Sequence, residues 1–237
     1  MRFFRSIAQF FDVQRRWPWI ALALLLKFSG VLFFLLYNRD TAGSRHIALE
    51  HGDTFSYLDP IENWISTGSY TPDLRMPGYG IVYWLLRLFT DPLIARDLLV
   101  LAQLLLAAIA VYLGARVAHH INGRPIAFVI MFIVLAISPY MSTLESRLCT
   151  ESFCTSALIF LCWALIQWRH DRRESWLLLA GGLIAWAVFL RPPSAITLLV
   201  FGCMILFEQG RSWRARSIAL GIFILPFAIT DGAWTLR

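Results

Sequence analysis

Strongly apolar windows recur along most of this chain, and each approaches the roughly 20 residues that a helix needs to cross about 30 Å of hydrocarbon. Unpaired backbone groups are too costly in lipid, so these segments must be helical. With 58% hydrophobic and 15% charged residues, the chain has too little polar surface for a water-soluble domain. The sequence therefore predicts an all-α polytopic membrane protein, with residues 1–237 forming a single transmembrane domain. The windows lie at about 17–37, 93–115, 124–140, 152–168, 175–190, 194–208 and 214–231.

Basic residues lie in short clusters between these windows, so the net charge of +6 indicates membrane topology and not a nucleic-acid partner. Residues 1–16 are predicted to form a basic amphipathic lead on the cytoplasmic surface. If the short run 77–89 lies on the membrane surface without crossing, every later cluster falls on the same side as the N-terminus. The clusters are Arg2, Arg5, Arg15 and Arg16; Arg116, His119, His120 and Arg124; Arg169, His170, Arg172 and Arg173; and Arg211, Arg214 and Arg216.

The positive-inside rule therefore favours about seven transmembrane helices, with the N-terminus cytoplasmic and the C-terminus outside. Residues 38–92 then form the first external loop, with surface-lying helices close to the membrane. Residues 141–151 and the corner Arg191-Pro192-Pro193 are predicted to share its side of the membrane.

The first external loop carries the residues best suited to chemistry. Asp53 could accept a proton from an attacking hydroxyl, and Arg75 could neutralise a phosphate leaving group. The alternative is a solvated loop in which Asp53 caps a helix. His46 and His51 are weaker acid/base or metal candidates, since an exposed loop histidine more often has no specific role. Tyr57, Gly68, Tyr70 and Pro77-Gly78-Tyr79 complete the pattern.

Two further candidates lie on the same predicted side. Thr150 could cap the next span, with Glu151 favourably placed at its N-terminus; alternatively, Glu151 faces Asp53 across a cavity and binds the acceptor or a metal ion. Arg191, at a helix end, could extend to lipid headgroups or hold an anionic phosphate. Between these segments, Glu145 and Arg147 could pair with each other.

The cysteines predict structural thiols, because Cys149, Cys154, Cys162 and Cys203 have no metal-binding or redox spacing. No cofactor is indicated with certainty. A divalent metal ion remains possible, since two external carboxylates are compatible with one but too few to require it.

The succession of these residues resembles the GT-C glycosyltransferases of the protein mannosyltransferase and aminoarabinose transferase type. It starts with Asp53, Tyr57 and Tyr70 and continues through the Arg75-to-Tyr79 segment in the first loop. The later landmarks are Ser138-Pro139, Thr150-Glu151, the Gly181-Gly182 helix ending in Leu190-Arg191-Pro192, and Pro226 preceding Trp234-Thr-Leu-Arg237.

The resemblance implies a seven-span module in the bacterial inner (plasma) membrane, acting in the cell envelope. A polyprenyl-phosphate-linked sugar would be transferred directly to a lipid, glycan or protein acceptor on the external side, with inversion. Asp53 would be the catalytic base and Glu151 a second acidic site residue. Arg75 and Arg191 would contact the donor phosphate, with Tyr57, Tyr79 and His51 as further site candidates.

Members of this family usually continue beyond the Trp-x-x-Arg landmark with more spans. The resemblance therefore predicts that the family's C-terminal part is absent. The polypeptide would then be a fragment, a truncated gene product, or a minimal module that needs a membrane partner subunit. Two other functions are open: a transporter or flippase of a lipid-linked intermediate, for which Lys27 is the main buried candidate, and a non-catalytic assembly subunit.

Overall fold

A computed structural model describes residues 12–37, 46–50, 52–70 and 76–236. The protein is 82% helical, and no strand occurs within the described ranges. This confirms the predicted all-α polytopic class. The helices are α1 (Arg16–Tyr37), α2 (Thr54–Thr67), α3 (Gly78–Arg87), α4 (Pro92–Asn122), α5 (Pro125–Ile137), α6 (Pro139–Ser146), α7 (Glu151–Asp171), α8 (Glu174–Leu190), α9 (Ala195–Leu206) and α10 (Trp213–Thr235), with a 3-10 turn at Pro192–Ser194 before α9.

Seven of these helices coincide with the seven apolar windows: α1, α4, α5 and α7–α10. Four of them, α1, α4, α7 and α10, are long and apolar enough to cross a membrane, and α5, α8 and α9 are apolar but shorter. Helix α3 has 10 residues. At about 1.5 Å per residue it reaches only about half the hydrocarbon thickness, as expected for a segment that does not cross.

Local sequence explains where the long helices begin and end. The Asp91 carboxylate caps α4 by accepting from the backbone N–H groups of Leu93 and Ile94 at 2.9 and 3.1 Å, with Pro92 at the first helical position. The same helix ends at Gly123, whose φ of 73° favours glycine. Pro125 then starts α5 two residues later.

The three later basic clusters lie at one end of the bundle, which we call the basic end. Arg116 donates to the carbonyl oxygen of Val13 at 3.2 Å, which joins the first of these clusters to the segment before α1. His120 and His170 line one cavity, and Arg172 and Arg211 both approach Glu208. The shared cavity and the shared carboxylate thus place the three clusters at one end of the bundle, as the charge pattern predicts. We call the opposite end, which carries α2, α3 and α6, the loop end.

Helix α8 lies at the centre of the bundle, between α7 and α10. Its contact with α10 depends on Gly181: a Cβ there would overlap the carbonyl oxygen of Phe223 and lie 2.9 Å from the Pro226 Cδ. The next residue, Gly182, has open space around its Cα, with nothing within 4 Å of a Cβ. Position 182 therefore has room for a larger side chain, whereas position 181 does not.

Gly181→Ala is expected to destabilise the protein by about 1–3 kcal/mol, because two backbones would have to separate. Gly182→Ala is the matched control, and its effect should be neutral or stabilising by up to about 1 kcal/mol through helix propensity. Thermal unfolding in one detergent compares the two variants with the parent. Equal melting temperatures for the two variants would contradict this account of α8–α10 packing.

Candidate active site

The loop end is assembled by a short backbone pairing between the first loop and the segment before α7. The Leu49 N–H donates to the Ser146 carbonyl at 3.1 Å, and the Leu148 N–H donates to the Leu49 carbonyl at 3.0 Å. The buried Thr54 hydroxyl also donates to the Leu148 carbonyl, at 3.1 Å. Segments predicted to share one side of the membrane are thus in contact.

Asp97 holds the same loop against α4. Its Oδ1 accepts from the backbone N–H groups of Ile47 and Ala48 at 2.9 and 3.0 Å, and its Oδ2 lies 2.8 Å from His46 Nδ1. Sequence reasoning did not assign this role, because the two partners are about fifty positions apart. Asp97 therefore anchors the loop on which Asp53 lies.

A buried polar network extends from α1 to α3. Lys27 Nζ lies 2.8 Å from Glu145 Oε1, and both side chains are 1% exposed. Gln103 on α4 donates to the carbonyl oxygens of Glu145 and Arg147, both at 3.0 Å, and accepts from the Tyr79 hydroxyl at 2.6 Å. The predicted pairing of Glu145 with Arg147 is therefore wrong, since the carboxylate reaches across to α1. The transport alternative rested on Lys27, and the charge of this lysine is paired with the Glu145 carboxylate on α6.

Glu151 and Arg191, two of the predicted site residues, form an ion pair. Arg191 Nη1 donates to Glu151 Oε1 at 2.8 Å, with side-chain exposures of 46% for Arg191 and 28% for Glu151. Arg191 follows the last residue of α8 and precedes Pro192, while Glu151 begins α7. Thr150 makes no capping hydrogen bond to α7; its hydroxyl instead lies 3.4 Å from Glu151 Oε2. The pair is accessible at the loop end.

Asp53 occupies the residue before α2, and its side chain is exposed. Its side chain makes no capping hydrogen bond to the helix, so the alternative in which Asp53 caps a helix is wrong. The next residue, Thr54, contacts Leu148, three positions before Glu151. Asp53 therefore lies on the same end of the bundle as the Glu151–Arg191 pair, and its role as a base stays a prediction.

The two tyrosine candidates pack inside the protein beside this site. Their ring centroids lie 5.5 Å apart, and Tyr79 packs against Phe153 on α7 at 5.7 Å. Tyr79 is fully buried and Tyr57 nearly so. Burial raises the pKa of Tyr79 well above its ordinary value, so its hydroxyl stays protonated. Both rings support the site from within, and contact with substrate stays a prediction.

The remaining site candidates, His51 and Arg75, lie outside the described residues. Their predicted roles as acid/base or metal group and as phosphate contact are therefore untested. Within the described part of the chain, no group of three or more His, Cys, Asp or Glu side chains is arranged to hold a metal ion.

Cys149 lies beside Glu151 and behaves as a structural thiol. Burial raises its pKa to about 12, and the neighbouring Glu151 charge adds to this. The thiol is therefore neutral at ordinary pH and unsuited to nucleophilic attack. Cys154 packs nearby, with its Sγ 3.3 Å from the Ser194 Oγ.

An apolar groove opens close to the ion pair. One cavity of about 400 Å³ lies between α3, α8 and α10, and a second of about 530 Å³ lies beside α2. Both are lined by Pro77, Ile81 and Trp234. Phe189, two residues before Arg191, also lines the first cavity. The first cavity therefore lies along α8, the helix that Arg191 follows.

A second charged cluster, which sequence reasoning missed, ties α2 to α3. Arg87 contacts both Glu62 oxygens, at 2.7 Å from Nε and 3.0 Å from Nη2, and the Tyr83 hydroxyl donates to the same carboxylate. The Arg87 guanidinium holds the pKa of Glu62 below its ordinary value. Burial, followed by the Glu62 contact, raises the pKa of Tyr83. These groups stabilise the loop helices.

The chain was compared with known protein families. Residues 81–234 match the family described as dolichyl-phosphate-mannose-protein mannosyltransferase. The match covers well over half of the chain. The chain belongs to this family. Neither the comparison with curated proteins nor that with solved structures found a match.

Membership in the mannosyltransferase family confirms the resemblance to GT-C glycosyltransferases. It implies glycosyltransferase activity, a polyprenyl-phosphate-linked sugar donor and a membrane lipid environment. With the apolar helices, it supports an integral membrane protein. The matched region includes Glu151 and Arg191, whereas Asp53 and Tyr57 precede it.

Proposed function

We propose that this mannosyltransferase-family protein transfers a sugar from a polyprenyl-phosphate donor to an acceptor on the external face of the membrane, with inversion. The observation that carries the proposal is the exposed Glu151–Arg191 pair beside the apolar groove. A polyprenyl phosphate has the same two parts, an apolar chain ending in an anion.

Arg191 would contact the donor phosphate, because a guanidinium forms strong charge-assisted hydrogen bonds with phosphate oxygens. Glu151 would orient this guanidinium through the 2.8 Å contact. Arg191 also makes the phosphate a better leaving group by stabilising the charge that develops on it. Arg75 precedes Pro77 of the groove by two residues and is proposed as a second phosphate contact.

Asp53 would act as the base. In the transfer step its carboxylate takes the proton of the acceptor hydroxyl or amine, and the acceptor atom forms a bond to the anomeric carbon. The bond from that carbon to the phosphate oxygen breaks, and polyprenyl phosphate leaves. Attack opposite the leaving group inverts the anomeric carbon, so one base and one stabilised leaving group are sufficient.

The purified chain, reconstituted in vesicles, tests this proposal with polyprenyl phosphates carrying radiolabelled hexoses or pentoses. Envelope lipid and glycan extracts serve as acceptors. We expect free polyprenyl phosphate to appear together with labelled product of inverted configuration. Passage of intact labelled donor across the vesicle membrane, without cleavage, would contradict the proposal and favour the transporter alternative.

A further inference from the structure

The basic end contains a polar cavity of about 450 Å³, far from the candidate active site. Its lining brings together one arginine, three histidines and two glutamines from α4, α7 and the segment before α1. These are Arg116, His119, His120, His170, Gln14 and Gln167. Such a lining offers hydrogen-bond donors and positive charge to a ligand.

Arg116 makes no ion pair within the described ranges. Its hydrogen-bond partners there are neutral oxygens: the Val13 carbonyl at 3.2 Å and the Gln14 side chain and Tyr112 hydroxyl, both at 3.4 Å. The guanidinium also lies 5.6 Å from the Trp163 ring centroid. The nearby His119 Nδ1 is buried without a hydrogen-bond partner among the described groups. An anion in the cavity would give the Arg116 guanidinium a charged partner.

An apolar groove continues from this cavity. It has a volume of about 530 Å³ and is lined by side chains of α4, α7 and α9, including Val117, Leu165 and Phe201. The cavity and the groove share His120, Ile166 and His170, so they meet along one wall. A charged compartment thus opens onto an apolar one between membrane helices.

We propose that the basic end binds an anionic phospholipid. Its headgroup phosphate contacts Arg116 and the histidines in the polar cavity, and one acyl chain lies in the adjoining groove. Charge complementarity selects the anionic headgroup, and the continuity of the two compartments selects a lipid over a free anion. His170 also contacts the Asp171 carboxylate at 2.7 Å, so Arg116 supplies the main positive charge.

Charge does not favour the chain's own first eleven residues as the occupant. They include Arg2 and Arg5 and no acidic residue, so they would add positive charge to a basic cavity. An external anion is complementary to this lining.

Native mass spectrometry of the full chain released from detergent micelles tests the proposal. The probes are phosphatidylglycerol, phosphatidylcholine with identical acyl chains, and inorganic phosphate. We expect one phosphatidylglycerol to bind at least about tenfold more tightly than phosphatidylcholine, from the charge-assisted contacts. Inorganic phosphate should not bind measurably. Equal binding of the two lipids, or binding of phosphate alone, would overturn the lipid site.

Three variants distinguish lipid binding at this site from general attraction to positive surface charge. Arg116→Gln should weaken phosphatidylglycerol binding about tenfold, whereas Arg214→Gln, at an exposed arginine of the same end, should not. Ile166→Trp keeps every charge but fills the junction between cavity and groove, so it should also weaken lipid binding. Thermal unfolding checks that each variant is folded. An equal loss with Arg214→Gln, or full binding by both Arg116→Gln and Ile166→Trp, would overturn the proposal.

Discussion

Asp53→Asn is expected to lower the rate of sugar transfer by about 10²–10⁴-fold, the range that a general base contributes. The amide keeps the size of the carboxylate but cannot take the acceptor proton. Because the Asp53 side chain is exposed and asparagine has nearly the same size, the melting temperature should change little. Transfer from labelled donor in vesicles and thermal unfolding in detergent measure the two effects.

Asp59→Asn is the matched control, since it removes an exposed carboxylate from α2, the helix that Asp53 precedes. It should retain near-parental transfer. The groove and Arg191 are unchanged in both variants, so donor binding should persist in each. Full transfer by a normally folded Asp53→Asn protein would exclude Asp53 as the base, whereas a loss shared with Asp59→Asn would indicate a general effect of loop charge.

Lys27→Met is expected to cost about 3–5 kcal/mol of unfolding free energy, because it leaves the buried Glu145 carboxylate without its counter-charge. The double variant Lys27→Met/Glu145→Gln should recover much of this loss, since no uncompensated charge remains. Thermal or denaturant unfolding in one detergent compares the two variants with the parent. Arg214→Gln, which removes an exposed positive charge, should change stability by less than about 0.5 kcal/mol.

A double variant as unstable as Lys27→Met would mean that packing of the lysine chain, and not charge compensation, dominates.

The candidate active site should respond to the loss of Lys27 as well. The Glu145 carbonyl accepts from Gln103, which in turn accepts from Tyr79 beside Phe153. We therefore expect Lys27→Met to lower transfer more than the double variant does.

Much of the fold could be predicted because the controlling forces act over short stretches of sequence. Apolar windows predict helices in lipid, and the basic clusters predicted that three separate loops share an end. In the structure, His120 and His170 line one cavity, and Arg172 and Arg211 both approach Glu208. The short 77–89 run was predicted not to cross, and α3 has the corresponding length. These features depend on local composition and length.

The candidate site could be predicted only in part. Sequence order selected Glu151 and Arg191 separately, with a helix-terminus alternative for Glu151 and a lipid-headgroup alternative for Arg191, and could not show that they pair. The pairing of Glu145 with Arg147 was predicted from their closeness in sequence, and it is wrong. Asp97, Glu62 and Arg87 received no role, since their partners lie on other elements.

The amino-acid sequence by itself determined that this protein is a helical membrane protein, where its helices lie, and that its basic clusters lie between them. Only the tertiary structure decided which charges meet: Glu151 with Arg191 at the loop end, and Lys27 with Glu145 inside the bundle. The physical reason is range. Helix formation and membrane insertion depend on residues that are close together in the sequence. Each of these ion pairs depends on how helices pack, because its two residues are forty or more positions apart in the sequence.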